Sequence, residues 1–385
     1  MNFSMSTTIS RSPWVRMVLV ASLLAIGLAA CDRNKPAPAG PAMTEPAATA
    51  PDAVASASMP AEGMDGMDGM EGMDHAAMGH DQMTPEQMAE LRAKVPLYQV
   101  LSDEQIMDNM ARMPPDFWTL ISSKDVQGPV GVLALGHGYK LGGNEQFEDA
   151  ARPIGKVHPT AVAGGMAMMS SSHIQQAVDE LTGKHGVKTI AVLPMEPGDD
   201  SSLIHQWKYI FNLYEEASWL STPRVKTDAK IVFTKSPASD PLMGTIMRDH
   251  ALEVSANPGK DRVIIVSHGP ERPEDNPAEL ARLEQHADTI RKTSKFTDVR
   301  VLSIEDDAVP EIRAARLAEL RGMVKEATDE GREVVIVPMI LTKGGFHARL
   351  QKDLAGLNFN FANRGLIEHP LFQEWIKARV SEATG

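Results

Sequence analysis

Cysteine is almost missing from this chain: its 385 residues hold one. A single thiol excludes an internal disulfide. An excess of positive charge is missing too. The formal net charge is −13, which excludes nucleic acid as the partner, because a phosphate backbone demands a basic face. Three signatures are also absent: G-x-S-x-G, G-x-x-x-x-G-K-[ST], and G-x-G-x-x-G after a strand. Without them there is no nucleophile elbow and no glycine loop to cradle phosphates. Ser267 directly precedes His268 and cannot easily use it as its own base.

What is present begins at the N-terminus. Arg11 and Arg16 precede an apolar run from Met17 to Ala30, which is too short to cross a membrane comfortably. The run ends Leu28-Ala29-Ala30-Cys31, which resembles a bacterial lipobox. That resemblance implies a signal peptide over 1–31 and a lipid on Cys31. It implies a membrane lipoprotein of the bacterial cell envelope, facing the periplasm. The stretch that follows, to about Pro60, is Ala, Pro and Thr; it cannot bury a core and reads as a tether. Met64, Met67, Met70, Met73, His75, Met78, His80 and Met83 then recur among Gly and acids. Gly at that density prevents a stable helix. Thioethers suit Cu(I), and the imidazoles also accept Cu(II), Ni or Co. Two readings stand for this part of the 32–83 segment: a soft-metal tract and an acidic low-complexity linker.

Residues 84–127 are expected to form a helical extension. Thr84-Pro85-Glu86-Gln87 supplies an N-cap with Pro behind it, and Ser102-Asp103-Glu104-Gln105 reads as a capping box. Beyond them, strand and helix alternate. Strands are expected over 130–135, 160–163, 187–194 and 231–234, then again over 263–266, 299–304, 334–338 and 358–361. Helices fall between them, one of them over 207–219. The landmarks repeat in order. Gly136-His137-Gly138 returns as Ser267-His268-Gly269, Pro194-Met195 as Pro338-Met339, and Asp240-Pro241-Leu242 as His369-Pro370-Leu371. The pattern predicts an α/β protein of two duplicated lobes, 128–258 and 259–385, with parallel sheets covered on both faces. Two such lobes enclose a cleft.

In a parallel sheet, the carboxyl ends of the strands emerge on one edge, where ligands bind. In the second lobe that edge would gather His268, the acids Glu305-Asp306-Asp307, and His347 behind Gly344-Gly345. Two imidazoles and a carboxylate make an open site for a divalent transition metal. Plainer roles stand beside these: a turn histidine at 268, a solvated acid at 305 with Asp306 as its rival, a surface histidine at 347. The first lobe has His137 but no acid at its second strand end; Glu196 and Asp199 follow its third.

These residues resemble the class II tetrapyrrole chelatases: sirohydrochlorin cobaltochelatase, the related ferrochelatase, and the anaerobic cobaltochelatase. The matching features are Gly136-His137-Gly138 with Asn144, Ser267-His268-Gly269 with Asn276, and Pro338-Met339 followed by Gly344-Gly345-Phe346-His347. The resemblance covers about Gly128 to Ala383. It implies two Rossmann-like lobes with a tetrapyrrole in the cleft, into which Co, Ni or Fe is inserted. It assigns His268 and His347 as the base and metal pair with Glu305 as acidic partner, and His137 as a third catalytic histidine. Lys140, Arg272, Lys343 and Arg349 would meet tetrapyrrole carboxylates, unless they are simply solvated. The exported N-terminus sets a second class beside this one: a lipid-anchored protein that binds metal or tetrapyrrole without catalysis.

Overall fold

The computed structural model describes residues 83–199 and 201–385, which belong to one compact unit, His75–Gly385. The expectations at Cys31, in the tether, and at Met64, Met67, Met70, Met73, His75, Met78 and His80 lie outside the described residues. Met83 is half-buried and packs on the core of the first lobe. No helix among the described residues is long and apolar enough to cross a membrane.

Three short helices come first: α1 (Pro85–Lys94), α2 (Pro96–Gln99) and α3 (Asp103–Ala111). The expected N-cap at Thr84 and the expected capping box at Ser102 both form, and Thr84 proves to be a capping box as well. The Thr84 hydroxyl accepts from the Gln87 N–H, and the Ser102 hydroxyl accepts from the Gln105 N–H. Leu91 and Ile106 are fully buried in the first lobe's core. The extension is not wholly helical, because β1 (Phe117–Leu120) follows and pairs antiparallel with β3 (Thr160–Gly164).

The first sheet contains β1, β3, β2 (Val130–Gly136), β4 (Thr189–Pro194) and β5 (Lys230–Phe233), in that order, and all pairs but the first are parallel. The second contains β7 (Asp298–Ser303), β6 (Arg262–Ser267), β8 (Val334–Met339) and β9 (Asn360–Phe361), all parallel. Leaving β1 aside, the strand order is the same in both, so the duplication is topological as well as sequential.

Successive strand residues point to opposite faces. Val132 and Ala134 of β2, with Val263 and Ile265 of β6, enter one core shared by both sheets. Their neighbours Leu133 and Leu135, and Ile264 and Val266, enter two separate outer cores. The shared core is filled by α4 (Gly143–Gly155), α7 (Pro241–Val254), α8 (Asn276–Thr293) and α11 (Pro370–Thr384). On the outside of the first sheet lie α5 (Ser172–Lys184) and α6 (Ser202–Ile210). On the outside of the second lie α9 (Pro310–Asp329) and α10 (Gly345–Asp353).

The last helix of each lobe is exchanged. Helix α7 leaves the first sheet and packs on α8 and β8 of the second; α11 leaves the second sheet and packs on β4 and α4 of the first. Trp375, fully buried, fills the middle layer at this crossing, with the Phe372 ring 5.1 Å away.

Candidate functional site

Parallel pairing brings the ends of β2, β4, β6 and β7 to corresponding edges, and the chemistry sits just past them. His137 follows β2, Glu196 stands two residues past β4, His268 follows β6, and Asp306 and Asp307 follow β7. Each histidine precedes a glycine in the left-handed region, Gly138 at φ 79° and Gly269 at φ 85°. That conformation favours glycine. A side chain at 269 would also collide with the Ser303 hydroxyl and come within 2.8 Å of the Glu305 nitrogen.

His268 is the hub. Its Nδ1–H donates to the Gly269 carbonyl at 3.2 Å. Its Nε2 stands 3.6 Å from Asp306 and 3.7 Å from Asp307, and its side chain is 31% exposed. Burial works against its charge, but Asp307, Asp306, the Gly269 carbonyl and Glu196 outweigh it and raise the imidazole above its ordinary pKa. His137 moves the other way. Burial first, and then the positive charge of His268, push it down to about 4, against Asp307. Glu196 is pushed up to about 7 by burial, with Glu279 and Asp307 adding and His268 opposing. The two imidazoles are therefore driven in opposite directions: His137 is neutral at neutral pH, and His268 is held above its ordinary range. Environments that split like groups in this way separate acid from base.

A further group arrives from the N-terminal extension. Tyr98 of α2 is pushed up to about 12 by burial, then by Glu271 and Asp307. Glu271, three residues past His268, is itself raised by burial.

The residues expected to form the site from sequence are not all in one place. His268 and His137 face each other electrostatically. His347 does not join them. It lies in the first turn of α10, where Phe346 meets the His268 ring at 5.7 Å. One helical step turns about 100°, so His347 points instead to Phe361, and its Nε2–H donates to the Arg364 carbonyl at 2.9 Å. Glu305 is fully buried at φ 49°. Its carboxylate accepts from Asn276 at 2.9 Å and pairs with Arg316. Asp306, the rival of Glu305, stands beside His268 together with Asp307. Among the described residues, no three His, Cys, Asp or Glu side chains gather tightly enough to hold a metal.

The expected anion contacts also divide. Arg349 pairs with Asp306 at 2.6 Å. The Lys343 backbone exchanges hydrogen bonds of 2.9 and 3.0 Å with Gln146 of the other lobe. Lys140 and Arg272 meet carbonyls of the extension. Reasoning from the sequence placed Asp307 and Glu196 at strand ends without giving either a role, and missed Tyr98 beside them. The acidic run 305–307 and the place of Glu196 just past a strand were visible signals; nothing local marks Tyr98, because its place depends on packing between segments.

The fold and cleft define a class: a two-lobe α/β protein with paired histidines and carboxylates at the strand ends. No protein-family profile matches the chain, and no curated protein does. Among solved structures, SirB from Bacillus subtilis with Fe3+ is similar at 16% identity and TM-score 0.49, covering 66% of this chain and 96% of that one. DR2241 from Deinococcus radiodurans, described as a multi-domain protein with structural similarity to chelatases, is similar at 20% identity and TM-score 0.44. This chain covers 56% of its length.

Proposed function

We propose that this protein handles a divalent metal together with a tetrapyrrole in the cleft, and that it inserts Co, Ni or Fe into a sirohydrochlorin-type ring. One observation carries the reading: His137 and His268 stand at matching strand ends of duplicated lobes, each before a left-handed glycine, and lie near enough for the charge of one to act on the other. Insertion places one divalent ion in the ring and releases two pyrrole protons. A neutral His137 offers a lone pair to the incoming ion without first losing a proton. Glu196, poised near pH 7, accepts a proton at neutral pH. His268, beside Asp306 and Asp307, accepts the second pyrrole proton in its neutral form.

The test is incubation of the soluble form with sirohydrochlorin and Co2+, Ni2+ or Fe2+, followed by absorption. Insertion by the parent and at least a tenfold slower rate in His268→Ala are expected. Unchanged insertion in His268→Ala would remove the site assignment. Stoichiometric binding with no turnover would instead make this a non-catalytic, metal- or tetrapyrrole-binding protein. We place the protein on a membrane through a lipid on Cys31; Cys31→Ser should move it to the soluble fraction. The Met/His tract is the copper-binding part of this reading, and deletion of residues 63–83 should lower Cu(I) capacity.

A further inference from the structure

The extension is tied across both lobes at the cleft. The Lys94 ammonium donates to the carbonyls of Ala217 at 3.1 Å and Trp219 at 2.6 Å, in the first lobe. The carbonyl of the same residue accepts from Arg272 Nη2 at 3.3 Å, in the second lobe. Further along, the Arg112 carbonyl accepts from the Lys140 ammonium, and Pro114 stands 3.0 Å from where a Cβ on Gly138 would lie. The strap is braced internally by Arg92, which donates to the carbonyls of Tyr98 and Leu101 and pairs with Asp103.

Two details give these contacts meaning. First, Lys140 and Arg272 are placed alike, three residues after His137 and four after His268. They are a matched pair of cations flanking the paired histidines. Second, what they hold is alike. Lys94 is the last residue of α1, and Arg112 is the C-cap of α3. A helix C-terminus presents unpaired carbonyls and about half a negative charge. Each cation is therefore occupied by the negative end of a helix. A carboxylate carries a full charge and makes stronger charge-assisted hydrogen bonds with the same donors.

Resting on the tetrapyrrole reading above, we propose that residues 85–113 form a strap that competes with ligand carboxylates for Lys140 and Arg272. A polycarboxylate entering the cleft takes both cations, and the C-terminal turns of α1 and α3 lift away. Leu91 and Ile106, fully buried, keep the body of the strap seated on the first lobe. The strap is thus an internal stand-in for the acid groups of a ligand, and ligands without acid side arms cannot displace it.

The experiment is hydrogen exchange on the full chain with two probes, uroporphyrin and benzenehexacarboxylate, beside binding measured by fluorescence quenching. Both probes should speed exchange at residues 92–100 and 110–114 by at least tenfold while leaving 86–91 protected. Lys94→Ala loosens the strap and should tighten uroporphyrin binding about tenfold. Lys140→Ala and Arg272→Ala should weaken it about tenfold and speed exchange at 92–100 or 110–114 without any ligand. Shifts of the same sign in strap and cation variants would overturn the proposal, as would exchange that neither probe changes. Faster exchange with benzenehexacarboxylate but no binding of uroporphyrin would leave the strap standing and remove the tetrapyrrole reading.

Discussion

Replacing Glu196 by Gln tests the electrostatics of the cleft directly. Its carboxyl rises from 4.5 to about 7, chiefly because it is buried. The folded state therefore holds this proton more tightly than the unfolded chain. Stability falls as pH rises between 4.5 and 7, and the full penalty remains above 7. At about 1.4 kcal/mol for each tenfold change in affinity, the penalty at pH 8 is at most about 3 kcal/mol. Solvent at this half-buried position reduces it to about 2 kcal/mol. Gln is neutral and nearly isosteric, so Glu196→Gln should be more stable than the parent by about 2 kcal/mol at pH 8. Near pH 4.5 the two should be equal. Urea unfolding at both pH values measures the difference, and His137 and the other titrating groups largely cancel because the proteins are compared at the same pH. An equal gain at both values, or a loss at pH 8, would refute the burial argument and with it the role of Glu196 as a proton acceptor near neutrality.

Gly269→Ala combines left-handed backbone strain of about 1–2 kcal/mol with a collision against Ser303 and Glu305; thermal unfolding should show a loss of at least about 3 kcal/mol. Gly186→Ala is its control: φ is 70°, but nothing lies within 4 Å of an added Cβ, so only the strain of about 1–2 kcal/mol is expected. Trp375→Ala should cost about 4 kcal/mol in urea unfolding and should speed exchange in β4 of the first sheet as well as β8 of the second. An effect confined to the second sheet would contradict the helix exchange.

The ends of β2 and β6 were legible in the sequence because apolar runs stop abruptly at His-Gly, and the helix starts because Thr84 and Ser102 have Gln three residues on. Strand β1 was not, since Phe117–Leu120 is short and gains its partner only from β3. The helix expected over 207–219 ends at Ile210, with Asn212 turning at φ 60°; its later aromatics pack from loop rather than helix. Helix α10 was hidden by Gly344-Gly345, which resemble a loop, and this misplaced His347. Two adjacent residues of a helix diverge, so Phe346 took the cleft position. The pairing of His137 with His268 was visible only as a repeat of phrase. That they lie near enough to act on each other follows from the docking of the lobes, which no local pattern encodes.

The exchanged helices set a timetable for biosynthesis. The first lobe is made first, yet the faces of β4 and α4 await α11, which is made after the whole of the second sheet. Its apolar middle face, with Val132, Ala134 and Leu193, cannot be sealed until α11 has been made and has left the ribosome. A nascent chain must therefore keep this surface from aggregating until release. A nonsense mutation near residue 370 would damage the lobe farthest from it in sequence.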